Sequence, residues 1–106
     1  MNTFDDREHA FEAQYKHDEE TRFRMRVRRT KLFGIWVAAE LGFEEPEADA
    51  YARQLVSIDF EAPGDAPILE RAHADLTDHG IQISEHRLAK ELDGFARQAH
   101  DQIMTE

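Results

Sequence analysis

The sequence predicts an all-α fold, a four-helix bundle preceded by an N-terminal stretch with a weaker tie to it. Three observations carry this reading. Apolar residues recur at helical spacing in four stretches, no hairpin signal or internal repeat appears, and few Gly or Pro residues interrupt the stretches. At 106 residues the chain suits one small domain and is too short for two with separate cores.

The first helix opens at Thr3, a predicted N-cap with Asp6 three residues later, and meets no Gly or Pro until Gly34. Glu12–Lys16, Asp18–Arg22 and Glu20–Arg24 place an acid four residues ahead of a base, worth about 0.2–0.5 kcal/mol per pair on an exposed helix. Phe4, Phe11 and Tyr15 share one stripe, but KHDEETR then offers nothing apolar before Phe23. Leu32, Phe33, Trp36, Val37 and Leu41 form a broad face that must be buried, with Gly42 as the stop. The second half of this helix therefore faces the core and the first half is weakly anchored. An isolated helix of that kind is marginal in water.

A second helix starts near Pro46, a residue suited to a first helical position. Ala48, Tyr51, Ala52, Leu55 and Val56 form its stripe, and Pro63-Gly64 ends it. Asp65 is the predicted cap of a third helix, with Ile68, Leu69, Ala72 and Leu76 on one face and Gly80 as its stop. Ser84 caps a fourth, and Ile83 can staple onto Leu88. Leu88, Leu92, Phe95, Ala96, Ala99 and Ile103 complete that helix's face.

Composition limits the chemistry. The chain has no cysteine, which excludes disulfides, thiol catalysis and Cys-based zinc sites. Six histidines are scattered without an HExxH motif or an i,i+4 His pair, and they read as surface residues. No nucleophile–base pattern, Gly-rich phosphate loop or paired-carboxylate motif stands out, so neither an enzyme, a metal site nor a cofactor is expected. No apolar run approaches the roughly 20 residues of a membrane span, and the acidic N-terminus has no apolar signal core. A cytoplasmic protein without direct membrane insertion is the expectation.

Charge is unevenly placed. Residues 1–20 hold seven acids and two basic residues, residues 21–31 six basic residues and no acid, and residues 32–106 sixteen acids and five basic residues. The net charge of -10 disfavours general nucleic-acid binding, because phosphate contacts need a positive surface. The basic block RFRMRVRRTK, residues 22–31, has three readings: it neutralises the chain's own acids, meets an acidic protein partner, or binds nucleic acid as part of a small cytosolic regulatory module. The opening segment has two: an amphipathic terminus laid over the bundle, or a helix presented to a groove on another protein.

FDDRE at 4–8 with AFEA at 10–13, HDEE at 17–20, the spaced RR-KL-G-W-A run at 28–38, YA at 51–52 and DFE-PGD at 59–65 resemble the zeta subunit family. These are small inhibitor proteins of the alphaproteobacterial F-type ATP synthase. The likeness runs from the N-terminus to about Asp65. It implies an all-α four-helix bundle with a mobile, partly helical N-terminal segment, divided as 1–20 and 21–106. It also implies that this segment, Asn2 to about Glu19, wedges into a catalytic interface between the alpha and beta subunits near the gamma subunit and blocks ATP hydrolysis. By position the partner-binding residues are Phe4, Asp5, Asp6, Arg7, Glu8, Phe11 and Glu12, with Tyr15 completing the aromatic stripe. VRRTKLFG departs from the family's Ala-Arg-Arg-Asn-Lys-Leu-Leu-Gly type of run, and Arg24-Met25-Arg26 makes the linker more basic. His9 and His17, in or beside the segment, give the expectation of pH-sensitive inhibition.

Overall fold

Four helices follow one another in the computed structural model, which describes the backbone from Thr3 and the side chains from Lys16 to Glu106: α1 (Thr3–Glu40), α2 (Glu47–Glu61), α3 (Asp65–Asp78) and α4 (Glu85–Met104). Among the described residues there is no strand. α1 packs chiefly against α2 and α4, while α3 closes the bundle between those two and touches α1 little.

The predicted stripes become the core. Phe33, Val37, Leu55, Ile68, Leu76, Leu88 and Leu92 are all but inaccessible, and Trp36, Phe43, Ile83 and Phe95 pack around them. Burying side chains of this kind contributes about 1.5–3 kcal/mol each, which dominates the stability of so small a domain. Trp36 links α1 to α4 by stacking on Phe33 and tilting against Phe95. Among the described residues, α1 buries nothing completely before Thr30, and residues 16–20 are all exposed.

The turns obey local chemistry. Gly42 and Gly80 take the positive φ that ends a helix without a Cβ penalty, at 84° and 74°. The Ser84 hydroxyl accepts from the Arg87 amide at 3.0 Å, as the cap motif predicts. Two details differ. Pro46 stands just outside α2 as its N-cap residue. Asp65 is the first residue of α3, not its cap, because its carboxylate is drawn to Arg29 on α1 at 2.8 Å.

Gly34 has a role that periodicity did not reveal. It is buried inside α1, and a Cβ there would stand 2.7 Å from the Ala52 Cα and 3.0 Å from its methyl. The α1–α2 crossing is close because both partners are small. That crossing fixes where α1 emerges from the bundle.

Candidate partner-binding surface

α1 leaves the bundle through a collar of arginines. Arg26 donates two hydrogen bonds to Asp59 on α2, from Nε at 2.7 Å and Nη2 at 2.9 Å. Arg29 lies 3.7 Å from the same carboxylate and bonds Asp65 on α3 at 2.8 Å. On the other side Arg28 reaches Gln102 and Glu106 of the α4 end, each at 2.8 Å, and Arg24 also pairs with Glu106. Four of the six cations in the basic block thus meet the chain's own polar groups. The paired Asp59 holds the Arg26 guanidinium above its ordinary value, chiefly through the hydrogen bonds. The Arg28 hydrogen bond, with Arg24 beside it, holds the Glu106 carboxyl below the usual range.

Asp59 is only 6% exposed, and sequence reasoning passed over it. The signal was present: Asp59 lies four residues beyond Leu55 on the buried stripe of α2, where a charge is unfavourable without a partner. Arg24, which the i,i+4 rule assigns to Glu20, goes to Glu106 across the bundle.

Beyond the collar lies an apolar neck. Phe23 and Phe60 are about half exposed and meet with ring centroids 5.3 Å apart. With Val27, Val56 and Pro63 they line a cleft of about 130 Å³. A second groove, of about 340 Å³, lies between Phe43, Tyr51, Arg71 and His79. There the Tyr51 hydroxyl donates to Asp75 at 2.8 Å and Arg71 Nε donates to the same oxygen at 3.0 Å. Burial first, then the Asp75 hydrogen bond, pushes the Tyr51 phenol well above its ordinary value, so it stays protonated. Among the described residues no group of three or more His, Asp or Glu is placed to hold a metal ion, and no helix is long and apolar enough to cross a membrane.

The predicted partner-binding residues Phe4, Asp5, Asp6, Arg7, Glu8, Phe11, Glu12 and Tyr15, together with His9, have side chains that lie outside the described residues, as do those of all the first fifteen residues of the stretch 1–20 expected to be mobile. His17, the second histidine of that reading, is exposed. The proposed boundary at residue 20 falls within α1, which runs unbroken from Thr3 to Glu40.

Compared with known families, residues 1–102 match the family of the ATPase inhibitor subunit zeta. The chain belongs to this family. The match takes in all of α1, α2 and α3 and all but the last two residues of α4, so it covers the acidic–aromatic N-terminal stretch and the bundle together. No curated protein matches the chain. Membership in this family makes the chain an ATPase inhibitor subunit of the zeta type, and the neck and collar are the parts of the described surface from which the first half of α1 extends.

Proposed function

We propose that this chain inhibits ATP hydrolysis by the F-type ATP synthase through insertion of its N-terminal helix, Asn2 to about Glu19, into a catalytic alpha/beta subunit interface beside the gamma subunit. One observation carries the reading: the zeta family match extends over a segment whose last turn, residues 16–20, is wholly exposed and spends no apolar surface on the chain's own core. Phe4, Phe11 and Tyr15 fill apolar pockets on the ATPase, and Asp5, Asp6, Arg7, Glu8 and Glu12 pair with subunit charges. The chain does no chemistry and needs no cofactor. It acts in the cytoplasm, at the face of the membrane where the ATPase head projects, without entering the bilayer.

The inhibitor works by occupying space. A helix of this length spans about 27 Å at roughly 1.5 Å per residue, enough to cross a subunit interface and obstruct its closure. The test adds a chain lacking residues 2–19 to purified ATPase head and follows ATP hydrolysis. Inhibition by the full chain and none by the shortened one is the expected result. Full inhibition by the shortened chain overturns the insertion mechanism.

A further inference from the structure

Three of the four large hydrophobic side chains that the described residues leave exposed, Phe23, Phe60 and Met104, belong to the end of the bundle from which α1 emerges. Phe23 lies on α1 itself, Phe60 closes α2 onto it, and Met104 stands two residues before Glu106, which binds Arg24 and Arg28. Singly exposed apolar residues are ordinary, but Phe23 and Phe60 touch each other over an apolar cleft, and such a patch marks a surface meant to be covered. The two rings hold each other in place, so the surface is formed in advance and loses little side-chain freedom when covered. Its cleft of about 130 Å³ has room for one aliphatic side chain.

Geometry says what covers it. Phe23 follows Glu19 by four residues of continuous helix, about 6 Å along the axis. Any protein that encloses α1 up to Glu19 must end its own surface against this neck. Arg22 is exposed and immediately precedes Phe23 in α1, and Lys31 and Arg53 line the adjoining groove that shares Val27 and Val56 with the cleft. None of these three cations has an ion-pair partner among the described residues, unlike Arg24, Arg26, Arg28 and Arg29.

We infer that the neck formed by Phe23 and Phe60 with Val27, Val56 and Pro63 is a second docking point on the ATPase, seated on an apolar patch edged by carboxylates at the mouth of the interface that receives the N-terminal helix. This rests on the insertion mechanism proposed above for its position, but it assigns a different task. The inserted helix obstructs, and the neck holds the bundle against the rim and sets how tightly the inhibitor stays.

The experiment compares the full chain with Phe60→Ser, Phe60→Leu and the double variant Phe23→Ser/Phe60→Ser. Binding to the ATPase head, inhibition and self-association are measured separately. Both rings are half exposed, so melting midpoints report that the fold is kept. The expected result is about a tenfold rise in Kd and half-maximal inhibitory concentration for Phe60→Ser, corresponding to loss of one anchor, with maximal inhibition unchanged and Phe60→Leu restoring most of the affinity. Unchanged Kd in the double variant overturns the inference. So does a wild-type dimer that these variants dissolve without loss of ATPase binding, since the neck then serves a second copy. A chain that binds without inhibiting sinks the insertion mechanism alone, and the neck is then read from the Kd ratio. A chain that does not bind the head overturns both.

Discussion

At Asp59 a carboxylate that is 6% exposed gathers three guanidinium nitrogens from Arg26 and Arg29, so one side chain of α2 holds two successive faces of α1. Replacing it by Ala leaves both arginines without their acceptor. The expected loss is about 1–3 kcal/mol by urea unfolding, the range for a hydrogen-bonded charge, kept below the figure for a fully buried pair because Arg26 is 43% exposed. Arg26→Ala should cost less, since Arg29 remains beside Asp59. Tyr51 gives a pH signature. Its pKa is raised above the ordinary 10.0, so the fold favours the protonated phenol. That contribution is fully present below about pH 10 and is lost as pH rises through the folded value. Melting midpoints between pH 8 and pH 11 should fall steeply for the wild type above about pH 10. Tyr51→Phe should begin about 1 kcal/mol less stable for want of the Asp75 hydrogen bond and fall less steeply over that range.

Among the elements, the α1–α2 crossing is the most sensitive point. Gly34→Ala improves helix propensity by about 1 kcal/mol, but its methyl would stand 2.7 Å from backbone at Ala52, which cannot move aside like a side-chain tip. Overpacking costs about 1–3 kcal/mol and the helix gain only partly offsets it, so the variant should unfold at lower urea. The stripes of α2, α3 and α4 were legible because Leu, Ile and Ala at 3.6-residue spacing can be buried in only one way. The crossing was not, because a glycine within a helical run looks like a flaw until the neighbouring helix is in place. Asp59 escaped notice for a related reason: a charge on a buried stripe is intelligible only once its arginines arrive from a residue some thirty positions earlier.

Taken as a whole, the molecule is long for its size, with extents of 67 × 24 × 21 Å. The stripe of Phe4, Phe11 and Tyr15 could be seen in the sequence, but its partner could be named only through the FDDREHAFEA motif, since spacing describes a face and not what it faces. The neck escaped because Phe23 looks like the edge of an apolar gap, and Phe60 like a helix end, until the fold sets them side by side. Removing residues 2–19 should leave thermal stability nearly unchanged, because the described part of that stretch, residues 16–19, is exposed. A shift of more than about 4 °C, equivalent to roughly 1 kcal/mol in a domain of this size, would show that the segment stabilises the bundle.

The arginine collar has a mechanical consequence. A rod clamped at one end and loaded at its tip concentrates its bending moment at the root, and the root of α1 is where Arg24, Arg26, Arg28 and Arg29 tie it to α2, α3 and α4. A load that swings α1 sideways is therefore carried first by ion pairs on opposite flanks, one set in tension while the other is compressed, before it reaches the Gly34 crossing. The bundle behaves as a socket, and a sideways force on the far end of the helix would have to break that socket's charged rim before it could lever the core apart.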